Sequence, residues 1–354
     1  MDNASKRITI KDIATQTGLS IATVHLALAG KAGPKEETRR RVLQTAKELN
    51  YQCNSAASSL KRGVTRIAAI LPALTQDNLL YYEPIWRGVR AYCRDAKDFN
   101  IERVELPYVN QDSVSVPLEA VGRARGERKL SGLIVLGDIE PEAGRALRDL
   151  SDQGVSIVLV NSDTPEVGRI CCIQAENYLL GRIMGEILLG RTPRGGPILV
   201  CAGEKSTPAN ADSTRGLNDY LEEHDANREI YALHYGNDMD RLYRRLVERF
   251  EKDRGITGCC SVTARGSVQL ARALVDTGLA GRIPAIGSDV FGENIENLKR
   301  GVFQNLMFKN PYQQGWLAAE YLFKHIFRNQ PTGDTTIFVK SEVVFQSSIS
   351  MYKE

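Results

Sequence analysis

The stretch ITIKDIATQTGLSIATVHLALAGKAGPKEETRRRVLQTAKELNYQCNSAASSLKRG, residues 8–63, decides the fold of the amino-terminal part of the chain. Thr9 precedes an apolar helical pattern and has Asp12 three residues on, which predicts a helix that begins with a capping box. Gly18 interrupts that pattern, and Ser20 can cap a second helix directly after it. Two short helices joined by a tight turn at a glycine predict a helix-turn-helix.

A third helix and a polar linker complete this stretch. Residues 35–49 have one apolar face, and the three arginines at 39–41 lie on the other side of the predicted helix. Residues 51–63 are small, polar and then basic, so they have too little apolar material to form a core. We therefore expect a head at 1–50, a hinge linker at 51–63 and a larger body at 64–354.

Charge is divided unevenly between these parts. The 354 residues include 46 Lys and Arg against 43 Asp and Glu, a net charge of +3. Residues 1–62 carry 11 basic and 5 acidic side chains, a net charge of +6, which leaves −3 for the remainder. A basic head on a mildly acidic body indicates that the head meets a polyanion.

From residue 64 onward, short apolar runs alternate with longer helical stretches. The runs RIAAILP at 66–72, GLIVLGD at 132–138 and PILVCAG at 197–203 do not alternate between polar and apolar residues. Such runs between helices are typical of parallel sheets that are covered on both faces. More than seven units of this kind favour two lobes over a single sheet. The expected fold class is an all-α helix-turn-helix head plus an α/β body of two doubly wound parallel-sheet lobes.

Several classes of protein are disfavoured by features that the sequence lacks. No apolar run approaches the roughly 18–20 residues of a membrane span, and the start of the chain has no apolar signal region, so we expect a cytoplasmic protein without a membrane partner. The seven cysteines form no C-x-x-C pair, which favours buried, reduced thiols over a metal site. With no G-x-G-x-x-G after the first strand, no G-x-S-x-G and no H-E-x-x-H, we expect neither an enzyme nor a cofactor.

The head resembles the amino-terminal domain of the lac repressor (LacI/GalR) family. The resemblance rests on T-I-K-D-I-A, G-L-S-x-A-T-V, E-T-R-R-R-V-L, L-N-Y-x-x-N and the A-x-x-L of the hinge, in register over about 55 residues. The alternating α/β body also resembles the sugar-binding core of that family, a type I periplasmic-binding-protein-like fold. The resemblance implies a transcriptional repressor, associated with the nucleoid, that a small sugar-like effector controls.

The resemblance also implies which residues of the head contact DNA. Ile21, Ala22 and Leu26 stand where the family reads base edges. Because all three are apolar, they can contact a thymine methyl but cannot form a bidentate hydrogen bond to guanine. Leu60 stands where the family's hinge leucine wedges into the central minor-groove step. The expected DNA-binding set is Thr9, Ile10, Ser20, Ile21, Ala22, Thr23, His25, Leu26, Asn50, Asn54, Ala57 and Leu60.

Some of these assignments have alternatives. His25 can instead be a solvated surface residue, and Leu60 can be a loop residue that touches the core. Because isologous dimers read palindromes, we expect a homodimer on a palindromic operator. The chain ends SEVVFQSSISMYKE at 341–354 without a leucine heptad, which favours a dimer over the tetramer formed by some members of the family.

The effector is expected at the carboxyl ends of the strands, where doubly wound sheets bind ligands. Asp289, in I-G-S-D-V, matches the family's Asp that accepts sugar hydroxyls. Two positions depart from the family pattern. Ser213 stands where an Arg is usual, with Arg215 two residues on, and Lys309 stands where Gln is frequent. The expected effector-binding set is Tyr81, Tyr82, Asp138, Asn161, Asn177, Ser206, Ser213, Arg215, Arg265, Asp289 and Lys309, each with a helix cap or a loop residue as the alternative.

The departure at Lys309 bears on the type of ligand. A lysine in the cleft, together with Arg265, would favour an anion such as a sugar acid or a sugar phosphate. The alternative is that Lys309 offsets the charge of an acid in the cleft. A second class of function is a sugar-binding receptor without a regulatory role, for which the body alone would suffice. Salt-dependent, sequence-specific DNA binding distinguishes the two classes.

Overall fold

The computed structural model describes residues 8–28, 33–49, 51, 64–75, 78–96, 99–109, 114–123, 130–328, 330 and 335–352, without the side chains of 122 and 123. The head consists of α1 (Ile10–Thr17), α2 (Ile21–Leu28) and α3 (Glu36–Glu48). Among the described residues, no helix is both long enough and apolar enough to cross a membrane.

The local signals of the head form as the sequence predicts. The backbone N–H of Thr9 donates to the Asp12 carboxylate at 2.7 Å in a reciprocal capping box. Gly18 ends α1 in the left-handed region, at φ 66°, where a side chain would be strained. The Ser20 hydroxyl accepts from the N–H of Thr23 at 3.1 Å and caps α2. The three helices bury Ile13, Ala14, Val24, Ala27, Val42 and Ala46 against one another.

The first lobe of the body is a parallel sheet covered by helices. Its strands lie in the order β11-β5-β4-β3-β1-β2, and each pair whose register is resolved is parallel. The strands are β1 (Thr65–Ile70), β2 (Ile101–Glu105), β3 (Leu130–Leu136), β4 (Ser156–Val160), β5 (Cys171–Ala175) and β11 (Thr336–Val339), and the helices are α4 (Leu79–Asp95), α5 (Ser115–Arg123) and α6 (Pro141–Asp152).

The second lobe repeats this plan, with strand order β12-β10-β9-β8-β6-β7. Its edge strand β12 departs from the all-parallel expectation, because it runs antiparallel to β10. The strands are β6 (Ile198–Gly203), β7 (Ile230–His234), β8 (Gly258–Ser261), β9 (Ala285–Ser288), β10 (Asn305–Phe308) and β12 (Glu342–Phe345), and the helices are α7 (Asn177–Leu189), α8 (Pro208–His224), α9 (Met239–Lys252), α10 (Ala264–Asp276) and α11 (Gly292–Lys299). The helix after β10, α12 (Pro311–Arg328), packs closely on α4 of the first lobe.

The chain passes between the lobes three times. It leaves the first sheet after β5, returns from β10 to β11 through α12, and leaves again from β11 to β12. Two lobes that share three connections can rotate relative to each other while remaining one structural unit.

Burial explains why these strands read as unbroken apolar runs. Every residue of β6, β8 and β9 is buried, since helices cover both faces of the sheet. The cysteines at 171, 172, 201, 259 and 260 are buried free thiols. Desolvation raises the pKa of Cys260 to about 12, so that this thiol stays protonated and inert.

Candidate functional sites

The second helix of the head presents an exposed face. Ile21 is 49% exposed, an unusual exposure for an isoleucine, and Ala22 and His25 beside it are also exposed. On the opposite side, Val24 and Ala27 are buried in the head's core. This face therefore offers apolar atoms and one imidazole to a partner, while the same helix holds the head together.

The other predicted contacts of the head are placed as follows. Thr9 and Ser20 are exposed at the starts of α1 and α2, where the first backbone N–H groups of each helix are suited to phosphate. Ile10, Thr23 and Leu26 are half-buried. Asn50, Asn54, Ala57 and Leu60 lie outside the described residues, so their contacts stay predictions.

The arginines of α3 have different environments. Arg40 and Arg41 are exposed, whereas Arg39 is half-buried with Glu36 at 3.9 Å. The Arg41 guanidinium donates to the Thr17 carbonyl oxygen at 3.0 Å, which ties α3 to the end of α1. Arg41 thus has a structural contact within the head in addition to its exposure.

A cavity of about 620 Å³ lies between the two lobes, at the carboxyl ends of their strands. It contains seven of the eleven residues expected to bind an effector. These residues are Tyr81, Tyr82, Asp138, Asn161, Arg265, Asp289 and Lys309. Their placement agrees with the rule that ligands bind beyond the carboxyl ends of parallel strands.

The bottom of the cavity holds a buried acid and a buried base. Asp289 is 2% exposed and Lys309 5% exposed, and the Lys309 ammonium donates to the Val262 carbonyl oxygen at 2.5 Å. Burial raises the pKa of Asp289 and lowers the pKa of Lys309, and the charge of each partner opposes these shifts. The Lys309 side chain thereby spans from the end of β10 to the end of β8, with Asp289 at the end of β9 between them.

Tyr81 is fixed by a network that sequence reasoning missed in part. Its hydroxyl donates to the Asn161 side-chain oxygen at 2.8 Å, and the Gln314 amide donates to the same hydroxyl at 3.1 Å. Gln314 also donates to the Lys309 carbonyl oxygen at 2.9 Å, and the Lys309 ammonium lies 5.9 Å from the centre of the Tyr81 ring. Gln314 is fully buried in the first turn of α12, a helix that the apolar runs did not indicate.

A hydrogen bond between two side chains joins the lobes across the cavity. The Thr207 hydroxyl, which precedes α8 in the second lobe, donates to the Asp138 carboxylate of the first lobe at 3.0 Å. Desolvation, with a contribution from the charge of Asp138, raises the pKa of Tyr82 to about 12. On the second lobe, the Arg265 guanidinium donates to the Asn237 side-chain oxygen at 3.1 Å. Donors and acceptors of both lobes therefore face the same space.

The structure does not bring Ser213 and Arg215 to this cavity. Ser213 is buried where α7 crosses α8, and a Cβ at Gly181 would lie 1.9 Å from its carbonyl oxygen. Arg215 lies on the outer surface, where it pairs with Asp212 at 2.7 Å and covers the Tyr178 ring. The face of α8 that carries position 213 packs on a neighbouring helix, and only the first turn of α8 reaches the cavity.

Two further expected residues also lie away from it. Asn177 is buried at the start of α7, and its amide donates to the Ala175 carbonyl oxygen at 3.2 Å. Ser206 is exposed in the loop before α8 and does not line the cavity, although Thr207 next to it does. Both residues follow a strand, but their side chains are turned to local backbone and to solvent.

The cavity contains other polar residues that sequence reasoning did not name. Tyr235 and Asn237 follow β7 and Thr263 follows β8, so the same rule of strand ends would have found them. Others come from helix starts and loops, for which the apolar runs give no signal. The additional polar lining residues are Asn78, Tyr108, Glu140, Glu204, Thr207, Asn210, Tyr235, Asn237 and Thr263.

Comparison with known proteins connects both sites to families. Residues 68–329 match the periplasmic binding protein domain, and residues 9–54 match the bacterial regulatory proteins of the lacI family. The chain is 23% identical to catabolite control protein A of Staphylococcus xylosus over 273 residues, which are 77% of this chain and 78% of that protein.

Solved structures share the fold of the body. A Bacteroides fragilis protein assigned to the LacI transcriptional regulators superimposes with a TM-score of 0.72 at 16% identity, covering 82% of this chain and 99% of that one. An ABC-transporter solute-binding protein from Burkholderia graminis, in complex with D-arabinose, has a TM-score of 0.70 at 17% identity and covers 82% and 98%.

A helix-turn-helix head on a two-lobed body with a cavity between its lobes defines a DNA-binding regulator that carries a ligand-binding domain. The chain belongs to the periplasmic binding protein domain family, and its head is a DNA-binding domain of the lacI family of bacterial regulatory proteins. The family assigned from the head motifs and the two-lobed α/β fold are thus confirmed.

Proposed function

We propose that this chain is a transcriptional repressor that binds a palindromic operator as a homodimer. Its affinity for the operator changes when a small sugar-like effector binds in the cavity. One observation carries this proposal. A head whose recognition helix exposes Ile21, Ala22 and His25 shares one chain with a polar cavity between two lobes. As part of this proposal, the repressor acts in the cytoplasm, where it is associated with the nucleoid.

The coupling of the two sites follows from the architecture of the body. Lobes joined by three connections can close on a ligand, and closure changes the surfaces that a dimer uses. An effector that favours one lobe arrangement shifts the population toward it, and the coupling to DNA is reciprocal. The proposed role is binding and transmission, with no catalytic step.

A hydroxylated effector is supported by the lining of the cavity. Asn161, Asn210 and Asn237 each offer a donor and an acceptor, and tyrosine rings supply apolar surface for the faces of a small ring. The arabinose in the Burkholderia graminis protein occupies the same type of fold. A sugar or a sugar derivative therefore fits this site.

The contacts of Lys309 weigh against an anionic effector. Its ammonium already donates to Val262 and lies close enough to Asp289 to lower the pKa of that carboxyl against burial. This arrangement supports the alternative in which Lys309 offsets an acid of the cavity. A sugar acid or phosphate would then lack a free cation at the bottom of the site.

Operator selection tests the proposal. The full-length chain is used to select sites from random duplex DNA, and the affinity for the selected site is measured by fluorescence anisotropy between 50 and 200 mM salt. We expect a two-fold symmetric site and a steep loss of affinity with salt, about 10³-fold or more if six to ten phosphates are contacted. A receptor without a regulatory role predicts no selected sequence, and that result would contradict the proposal.

A further inference from the structure

We propose that Gln314 is a positioning residue for effector binding. Through the Tyr81 hydroxyl, it fixes the Asn161 side chain so that its N–H groups face the effector. The inference rests on the proposed function, because it takes the cavity between the lobes to be the effector site. It adds the hydrogen-bonding pattern of the ligand, which has to offer an acceptor to Asn161 of the first lobe and a donor to Asp289 of the second.

The orientation of the Gln314 amide is fixed by the main chain. Gln314 is fully buried in the first turn of α12, and its amide nitrogen lies 2.9 Å from the Lys309 carbonyl oxygen. Because a carbonyl oxygen can only accept, the nitrogen of the amide has to face it. The same nitrogen donates to the Tyr81 hydroxyl at 3.1 Å, so both of its hydrogens are used.

Filling of space alone does not explain a glutamine at this place. The Oε1 atom of Gln314 is buried and has no hydrogen-bond partner among the residues that the structure describes. An unpaired buried carbonyl oxygen is costly, and an apolar side chain of similar size would avoid that cost. The contribution of a polar residue here is therefore the pair of hydrogen bonds that its nitrogen donates.

The direction of the Tyr81 hydroxyl follows from that of Gln314. Desolvation raises the pKa of Tyr81 well above its usual range, so the hydroxyl keeps its hydrogen. Its oxygen accepts from Gln314, and its hydrogen is donated to the Asn161 side-chain oxygen at 2.8 Å. Asn161 therefore turns its Oδ1 atom toward Tyr81 and its Nδ2 atom away from it. We call this chain of hydrogen bonds, from Gln314 through Tyr81 to Asn161, the relay.

The amide nitrogen of Asn161 is then the group that a ligand meets on the first lobe. Asn161 lines the cavity, and its Nδ2 atom has a long contact of 3.5 Å with the Ser162 hydroxyl, which engages at most one of its two hydrogens. The Asn161 backbone lies in the left-handed region, at φ 73°, and such strained positions cluster at ligand sites. A free N–H donor thus faces the effector.

The second lobe presents the opposite polarity at the equivalent place. Asn161 follows β4 and Asp289 follows β9, and these strands have the same position in the strand orders of the two sheets. Asp289 also has a left-handed backbone, at φ 67°, and its carboxylate accepts from the Ser288 hydroxyl at 3.0 Å. A ring oxygen, a carbonyl or a hydroxyl of the effector fits Asn161, whereas Asp289 requires a hydroxyl that donates.

Neutron diffraction from crystals of the deuterated full-length chain tests the relay directly, because deuterium is visible and nitrogen and oxygen scatter differently. We expect the Tyr81 hydrogen on the Asn161 side, and the Asn161 oxygen toward Tyr81. Gln314→Glu replaces the donor by an acceptor. In that variant, the Tyr81 hydrogen should turn toward position 314 and the Asn161 amide should reverse.

Calorimetry measures the consequence for binding. The probes are glucose and galactose, each with its deoxy and deoxyfluoro forms, because fluorine keeps a weak acceptor where the deoxy form has none. At the sugar position that contacts Asn161, we expect the fluoro form to bind about threefold or more tightly than the deoxy form. In Gln314→Glu, this fluoro advantage should disappear, since the Asn161 oxygen then faces the fluorine.

Further variants separate positioning from folding. Gln313→Glu makes the same change one residue earlier, at a half-buried place that does not line the cavity, and should retain the fluoro advantage. Tyr81→Phe keeps the ring but removes the hydroxyl of the relay, so it should lose the advantage and serves if Gln314→Glu does not fold. The double variant Tyr81→Phe/Gln314→Glu should lose no more than either single change, because both act through one hydroxyl.

Three results would overturn the inference. They are a Tyr81 hydrogen that points to Gln314 in the unsubstituted chain, a sugar that binds without any fluoro advantage, and a fluoro advantage that survives in Gln314→Glu or Tyr81→Phe. The hydrogen positions depend on neither operator nor effector. They therefore decide the inference even if the chain selects no operator or binds neither sugar series, and those two failures would contradict the proposed function instead.

Discussion

The candidate DNA-binding surface of the head is built from one continuous segment, whereas the cavity of the body collects residues from positions 72 to 309. In the head, Ile21, Ala22 and His25 are exposed because Val24 and Ala27, on the same two turns, must be buried. In the body, Asp138 and Thr207 meet only because two sheets face each other. We therefore expect the local site to tolerate substitutions elsewhere in the chain. The site between the two lobes should depend on distant residues that hold the sheets in place.

The largest expected effect comes from a substitution that disrupts the long-range packing of the body. A Cβ at Gly181 would lie 1.9 Å from the Ser213 carbonyl oxygen, so α7 and α8 would have to separate. Gly181→Ala should lower the free energy of unfolding of the body by about 3 kcal/mol or more, since backbone cannot yield as a side chain can. Urea denaturation followed by fluorescence measures the loss.

The matched control lies at the end of the same helix. At Gly190, the nearest atom to an added Cβ is the Glu186 carbonyl oxygen at 3.5 Å, an ordinary contact. Gly190→Ala should change the stability by less than about 1 kcal/mol. Equal losses in both variants would mean that the close approach of α7 and α8 is not what supports the body.

The same contrast determines what could be predicted from the sequence. Thr9, Asp12, Gly18 and Ser20 act through neighbours at most four residues away, so their caps and turn could be predicted. The strand-end rule located Asp138 and Asp289, because parallel strands put their ends at one edge whatever the connections are. Gln314 could not be found in this way, since it follows no predicted strand and its partner Tyr81 is brought to it by packing.

Ser213 shows the limit of reasoning by position. The family pattern assigns a ligand contact to this place in α8, but here the residue faces Gly181 of α7. Asn210, one turn earlier, is the residue of that helix that reaches the cavity. The close approach of α7 that buries this face of α8 is possible because Gly181 has no side chain, and position 181 is distant in sequence from position 213.

A second prediction concerns the buried pair at the bottom of the cavity. Lys309→Gln leaves Asp289 without its nearby cation, so the variant should lose about 2–3 kcal/mol of stability at pH 7. The double variant Asp289→Asn/Lys309→Gln should lose less than the sum of the two single changes, because both charges are then removed together. Additive losses would contradict the coupling of the two side chains.

The pH dependence of these variants has a definite sign. The pKa of Asp289 is raised by burial in the folded chain, so the folded state binds a proton more readily than the unfolded state. Lowering the pH through this raised pKa toward about 4 therefore stabilises Lys309→Gln relative to the double variant. Thermal unfolding of both variants from pH 7 to pH 4.5 measures the difference.

A third prediction separates function from stability in the head. Ile21 is exposed, so Ile21→Ala should change the free energy of unfolding by no more than about 0.5 kcal/mol. If the side chain contacts a base, as proposed, the affinity for the selected operator should fall by about tenfold or more. Anisotropy with selected and scrambled DNA measures both affinities, and an equal loss on scrambled DNA would assign Ile21 to non-specific contact.

The smallest expected effect tests whether the stability of the head is independent of effector binding by the body. Ser20 caps α2 through a single hydrogen bond to the Thr23 N–H, so Ser20→Ala should cost about 1 kcal/mol of the head's stability. Gln16→Ala, at an exposed position inside α1, is the control and should have no cost. Because none of the described residues that line the cavity comes from this region, the affinity of the body for an effector should be the same in both variants. A change in that affinity would mean that the cap of one short helix is coupled to the two lobes, and the two sites would then be less separate than their construction indicates.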